Sequence, residues 1–282
     1  MNLASLWPRI NDRIHLTMSR RLMRRRAKMR NEVPLISFTF DDFPRSALHT
    51  GGAILKGQDL RATYYASLGL MGREAPVGTI FSADDLQLVV SEGHELGSHT
   101  FSHCHAWQTR PSEFEKSIID NQSALSRFLP EARFATLSYP ISQPRPLTKR
   151  RAARHFACCR GGGQTFNAGI IDLNYLRAFF LEKSKDITSV SEMIDRNIEA
   201  RGWLIFATHD VSEQPTRFGC TPNFFEDVVR LALRSGARIL PVREACEVAT
   251  RNGPPSHSTN DSNGILRTSG SPPLAASAGD SA

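Results

Sequence analysis

One feature constrains this chain more than any other: short β-branched or aromatic runs alternate with segments that carry helix punctuation. Val33–Phe40 (VPLISFTF) reads as a strand, and a helical stretch follows to Leu55. Ala62–Leu68 (ATYYASL) is a second strand. Ser82-Ala-Asp-Asp85 has the form of a capping box and opens a helix that Gly93 closes. Glu95–Ser98 is a third, short strand. Pro111–Leu129 reads as a helix with Ser112 as cap and Glu115 three residues on, and Phe134–Tyr139 as a fourth strand. The 140–180 region resists parsing, and Gly161-Gly162-Gly163 marks a loop within it. Ser189-Val-Ser-Glu192 then caps a helix that Gly202 ends. Trp203–Thr208 (WLIFAT) is a nearly all-apolar strand of the buried kind. Thr221-Pro222 pairs an N-cap with proline at the first helical position, and that helix runs to Gly236, before a last strand at Arg238–Val242.

Strands separated by helices of about 10–18 residues cannot pair as hairpins; they imply βαβ units and a parallel sheet. About seven such units leave two architectures, a barrel or a doubly wound open sheet. In both, chemistry sits at the C-terminal ends of the strands.

Composition sets the frame around this α/β body. The chain has 282 residues, 40% hydrophobic and 22% charged, which is enough for a sizeable core. No run approaches the ~18 apolar residues of a membrane span. The formal net charge is +7, and residues 1–35 account for all of it, so the rest is balanced. A nucleic-acid-binding core is therefore not expected. The expected organisation is a basic arm over 1–32, one domain over 33–250 and a disordered tail over 251–282 rich in Ser, Gly, Pro and Ala. In the arm, Leu6, Trp7, Ile10, Ile14 and Met18 recur at helical spacing. That helix either packs on the domain or makes peripheral contact with an anionic membrane surface. The arm lacks the apolar core of a signal peptide, which points to a cytoplasmic protein, at the inner face of a membrane if the arm touches lipid. Cys104, Cys158, Cys159, Cys220 and Cys246 are odd in number and contain no C-x-x-C pair. They fit neither a disulfide scaffold nor a cysteine-rich zinc module, and a reducing compartment suits them.

Three strand ends carry polar residues. The first ends in Asp41-Asp42. Adjacent carboxylates in extended chain point to opposite sides, so one can bind a metal while the other faces a reacting atom; alternatively the pair caps the next helix. The third strand runs into His99 and His103. Four residues apart, they converge on one metal if the segment turns, or they are surface histidines. His94 and His105 lie nearby. The WLIFAT strand ends in His209, either a proton donor at the active face or a satisfied structural histidine.

In these residues the chain resembles the polysaccharide deacetylases, the NodB-homology family (carbohydrate esterase family 4). The resemblance rests on Thr39-Phe40-Asp41-Asp42, on Gly93-His94-Glu95-Leu96-Gly97-Ser98-His99-Thr100-Phe101-Ser102-His103, and on the apolar strand before His209, and it covers roughly Val33 to Ala245. It implies a distorted (β/α) barrel of about seven parallel strands. It implies that Asp42, His99 and His103 bind a divalent metal, usually Zn2+, that Asp41 is the general base and His209 the general acid, and that Thr100 braces the metal loop. The implied reaction removes an N-acetyl, less often O-acetyl, group from an amino-sugar polymer or oligomer such as a chitooligosaccharide. Other readings are a metal-binding, catalytically weak carbohydrate-binding protein and an amidohydrolase acting on a small non-sugar amide.

The chain departs from the family pattern in three places. The third motif has an arginine two residues before its proline; here the stretch is Ser138-Tyr139-Pro140-Ile141-Ser142. Tyr139, Pro140 and Ile141 are the expected substrate or oxyanion contacts, through the backbone N–H after the proline. The charge that would orient the base must come from a neighbouring strand end, from Arg177 or, preferred, from Arg160 just before the Gly161–Gly163 loop. The fourth motif, an Asp pair followed by Trp, has at most Asp172 as a remnant. Ala207 stands where the family has a leucine lining the acetyl-methyl pocket. Trp107, Tyr139 and Phe43 are candidate sugar-stacking aromatics.

Overall fold

The computed structural model describes residues 13–141, 143–182 and 185–250. The 251–282 tail, the first twelve residues of the arm and Ser142 of the third motif lie outside the described residues.

Seven parallel strands form one curled path. In chain order they are β1 (Leu35–Phe40), β2 (Thr63–Ala66), β3 (Glu95–Ser98), β4 (Thr136–Ser138), β5 (Cys158–Arg160), β6 (Phe179–Phe180) and β7 (Trp203–Thr208). Their spatial order is β6-β7-β1-β2-β3-β4-β5, and an eighth strand, β8 (Arg238–Ile239), shares one edge of β1. Leu35 and Ile36 pair with β8 through Arg238 and Ile239, and Thr39 and Phe40 pair with β2 through Thr63 and Tyr64. An isolated parallel bridge, Arg160 to Leu176, joins β5 to the segment leading into β6. The path thereby curls back on itself, and the fold is the distorted (β/α) barrel that the sequence implies.

β1 and β7 pair over six residues each and are buried along their whole length. That explains their continuous apolar runs: strands covered on both faces need no polar alternation. Phe38, Phe40, Tyr64, Phe206 and Phe225 meet in the core. The helices pack outside: α1 (Ala83–Ser91), α2 (Pro111–Leu125), α3 (Pro146–Ala152), α4 (Ile187–Glu199), α5 (Pro222–Arg234) and α6 (Val242–Thr250). α1 starts with the expected capping box, Ser82 with Asp85, and α5 with Thr221 and Pro222.

Several local expectations shift. α2 begins at Pro111, so Ser112 lies inside the first turn and Arg110 occupies the N-cap without a side-chain bond. Asp186, not Ser189, caps α4, accepting the Ser189 N–H at 2.8 Å. The last strand stops at Ile239, and Val242 opens α6. The 140–180 region contains α3, β5, β6 and a short strand Ile170–Asp172. These elements are two to seven residues long, too short to set up a readable period.

The described part of the arm is docked. Residues 13–21 are helical, and Arg26–Lys28 pairs antiparallel with Ile170–Asp172. The buried Lys149 ammonium donates to the carbonyls of Ser19 (2.6 Å) and Leu22 (3.0 Å), capping that helix, and to Asp172 at 2.7 Å. No described helix is long and apolar enough to cross a membrane.

Candidate active site

The C-terminal strand ends open into a cavity of about 680 Å³. Asp41, Asp42, His99, His103 and His209 all line it, so the three polar strand ends of the sequence meet in one place.

Asp42, His99 and His103 each offer a ligand atom, and these atoms lie within 4.8 Å of one another. Asp42 Oδ1 sits 2.9 Å from His103 Nε2 and 3.4 Å from His99 Nε2. His99 Nδ1 lies 2.8 Å from the Ser138 carbonyl oxygen. A carbonyl only accepts, so Nδ1 carries the proton and Nε2 turns a lone pair toward Asp42. Asp42 Oδ1 is buried without a hydrogen-bond partner. An orphaned carboxylate oxygen facing two imidazole nitrogens fits a cation: two imidazoles and a carboxylate suit zinc and neighbouring divalent ions and leave positions open. The two histidines hold the Asp42 carboxyl far below its ordinary value, against the large opposing effect of burial.

The backbone is bent to make this arrangement. Asp42 (φ +59°), Phe43 (+52°), Thr100 (+61°), His103 (+50°), Ile141 (+66°) and Gln164 (+51°) all occupy the left-handed region, six of the nine described non-glycine residues that do. Such conformations are costly outside glycine and gather at functional sites. Thr100 is fully buried, and its Oγ1 accepts the Cys104 N–H at 3.2 Å, fastening the turn that carries His103. The other nearby histidines serve the scaffold. His94 Nδ1 accepts the Ala62 N–H, and His105 Nδ1 accepts the Trp107 and Gln108 N–H groups.

Asp41 meets Arg160, whose guanidinium donates to Asp41 Oδ1 and to Ser138 Oγ. Ser138 stands where the family pattern has arginine; here it accepts a bond from an arginine one strand over. Arg160 is packed between the rings of Tyr65 (5.2 Å) and Phe180 (5.7 Å). Burial raises the Asp41 carboxyl, but Arg160, His99 and His209 outweigh it and hold Asp41 below its ordinary value, anionic and able to accept a proton. Arg177 goes elsewhere, its backbone clipped on both sides by the Asn167 amide. His209 Nδ1 lies 3.4 Å from the Phe218 carbonyl oxygen, and its Nε2 is 4.0 Å from Asp42 Oδ2.

The remaining expected contacts divide. Tyr139 and Ile141 line the cavity, while Pro140 is not among its lining residues. The Tyr139 N–H donates to the Arg160 carbonyl, its hydroxyl donates to the Asn174 carbonyl at 3.2 Å, and Pro140 has no N–H. Only the Ile141 N–H of the three has no bonding partner among the described residues. Asp172 is distant in role: it receives Lys149 and the Arg25 and Asn174 N–H groups. Ala207 is buried in the core and lines no part of the cavity. Phe43 stacks on Phe81 and Trp107 on His15, so neither serves as a sugar platform. Phe180 and Phe218 line the cavity instead, with Gln143, Gln164, Glu182 and Arg217. Nothing in the sequence marks these six, because each comes from a loop or short strand that no period locates.

Residues 28–156 match the model of the polysaccharide deacetylase family. Over those residues the chain resembles that family. The fold of this chain is similar to a family 4 acetyl xylan esterase from Clostridium thermocellum, solved with a cobalt ion (TM-score 0.53, 19% identity, 74% of this chain and 89% of that one). It is similar to the chitin deacetylase of Colletotrichum lindemuthianum (0.53, 19%, 77% and 89%) and to a peptidoglycan deacetylase from Bacillus subtilis (0.50, 18%, 77% and 92%). No curated sequence matches it.

Proposed function

We propose that this chain is a metal-dependent hydrolase that removes acetyl groups, foremost N-acetyl, from an amino-sugar poly- or oligosaccharide of the chitooligosaccharide kind. The observation that carries this reading is the meeting of Asp42, His99 and His103 with Asp41 and His209 in one cavity. The chitin and peptidoglycan deacetylases among the similar folds support the substrate class.

Asp42, His99 and His103 would hold the divalent ion, with zinc the best match to the donor set. Bound there, the ion supplies Lewis acidity to the acetyl carbonyl and acidifies water. Asp41 accepts the proton of the attacking water, and Arg160 keeps that carboxylate ionised and aimed. His209, held through Nδ1 by the Phe218 carbonyl, presents Nε2 to the cavity and delivers a proton to the leaving amine, without which the C–N bond does not break readily. We assign the developing oxyanion to the Ile141 N–H as its main-chain donor. No covalent nucleophile is required.

The test is acetate release from chitin oligosaccharides by the purified chain, with added zinc, after chelation, and with Asp41→Asn and His103→Ala. Release that needs the ion and is lost in both variants is the expected result. Stoichiometric zinc binding without release from any acetylated saccharide overturns the catalytic reading and leaves a saccharide-binding protein.

A further inference from the structure

A second, smaller cavity of about 130 Å³ lies behind the Gly161–Gly163 loop. Arg20 and Arg24 of the docked arm and Arg177 of the loop before β6 line it, with Phe166, Asn167, Tyr175 and Asp172 among its other walls. None of the three guanidinium groups has an ion-pair or hydrogen-bonded partner among the described residues, and Arg20 Nε is buried without one. Asp172, the one acid in the wall, is already committed. Its Oδ2 takes Lys149 at 2.7 Å, and its Oδ1 takes the N–H groups of Arg25 (2.9 Å) and Asn174 (3.0 Å).

The arginines are held in place by their neighbours, not by each other. Ser19, before Arg20, bonds Pro144 through its hydroxyl and Lys149 through its carbonyl. Arg24 sits between Met23, whose carbonyl accepts from Asn174, and Arg25, whose N–H reaches Asp172. Asn167 clips the Arg177 backbone at 2.8 and 2.9 Å. A Cβ placed on Gly163 would lie 3.5 Å from both Arg20 Nη2 and Arg177 Cγ, so the two side chains meet over that glycine. Burial, then the positive charges of Arg20 and Arg24, pull Arg177 below its ordinary value. Convergent cations on a pinned backbone, with no acid left to neutralise them, lack only an anion.

We infer that Arg20, Arg24 and Arg177 form a binding site for a phosphate group. Guanidinium forks match phosphate oxygens in pairs. The cavity, at about 130 Å³, has room for one tetrahedral group. The site is next to the strand-end cavity: Gly163 lines that cavity, and Tyr175, in the wall of the smaller one, hydrogen-bonds Gln143, which lines the larger one. The phosphate belongs either to a soluble phosphorylated molecule or to a lipid headgroup reached through the arm. The site rests on these three side chains and not on the reaction proposed above.

Titration calorimetry of the full chain with inorganic phosphate tests it, beside Arg24→Gln, an Arg20→Gln/Arg177→Gln double variant, and an Arg13→Gln/Arg26→Gln control elsewhere on the arm. Each site variant is expected to weaken phosphate binding about tenfold or more, the effect of losing one charge-assisted contact, while the control binds as the parent does. Arg177→Lys, which keeps the charge and loses the fork, falls between. Arg24 is exposed at the surface, so its replacement reports on binding without disturbing the core. Vesicles of phosphatidylcholine with phosphatidic acid, compared with phosphatidylserine at equal charge, then separate the sources. Preference for the phosphomonoester headgroup, lost in Arg24→Gln, supports the site with a lipid ligand. Phosphate binding without that preference supports it with a soluble one. Phosphate affinity unchanged in the double variant, or reduced equally in the control, overturns the proposal.

Discussion

The two halves of the strand-end cavity are built on different terms. One half is Asp42, His99 and His103, from the ends of β1 and β3. Its donors are set by short sequence relations: a carboxylate beside another, and two histidines four residues apart on one bent turn. The other half runs from Tyr139 through Ile141, Arg160 and Phe180 to Phe218, and its parts come from separate strand ends and loops. Where the family pattern has its arginine at position 138, this chain has Arg160 one strand over, reaching Asp41. The contrast has a physical cause. Ligation requires several lone pairs at fixed distances, which tolerates little redistribution along the chain. A positive charge beside a carboxylate needs only to be near it, and any neighbouring strand can supply it.

Removing one ligand should therefore produce the largest effect. His103→Ala is expected to lower acetate release by on the order of 10³–10⁴, the several kcal/mol that an ion contributes at tenfold per ~1.4 kcal/mol. It should also abolish stoichiometric zinc binding, measured by equilibrium dialysis. An activity loss with zinc affinity intact would detach the histidine from the role assigned to it.

Displacing the arginine should do less and be repairable. Arg160→Ser leaves Asp41 buried without its partner, and the loss of one member of a buried pair costs about 3–5 kcal/mol in stability. Turnover should fall by about 10–100-fold, the usual range for a positioning group. Ser138→Arg/Arg160→Ser returns the charge to the family's position and should recover part of both losses, read from thermal melts and kcat. A double variant no better than Arg160→Ser would show that the second half of the cavity is as rigidly specified as the first.

The same division explains what was legible beforehand. Asp41, Asp42, His99, His103 and His209 are readable as a polar cluster at or just past strand ends, where this architecture places chemistry, and the family resemblance, not the spacing, gives their separate roles. Arg160 is readable only through the resemblance, as the preferred of two arginines, ahead of Arg177, that could stand in for the missing third-motif arginine. Phe180, Glu182, Arg217 and Phe218 were not readable, since a two-residue strand such as β6 leaves no period in the sequence. The cap of α4 was assigned to Ser189 where Asp186 serves, because both residue types cap and only three-dimensional context chooses between them. The docking of residues 13–32 depends on Lys149 and Asp172, well over a hundred residues away, which no local pattern reveals.

The smallest effect should come from Ile141, and it bears on how much shape the variable half must keep. Its φ is +66° and its side chain 64% exposed, an unfavourable pairing of a β-branched residue with the left-handed region at a place where little is gained from burial. Glycine adopts that conformation freely, so Ile141→Gly is expected to stabilise the chain by about 1 kcal/mol, a rise of about 2–4 °C in Tm for a chain of this size. If the strain serves only to hold the Ile141 N–H toward the cavity, kcat should fall slightly, since glycine holds the turn less firmly, while KM stays the same. If the side chain itself forms part of the saccharide surface, KM should rise with kcat unchanged. A variant that is less stable than its parent would show that the turn at 139–141 is held by packing, and that its backbone geometry is a consequence of the cavity's shape instead of a cause of it.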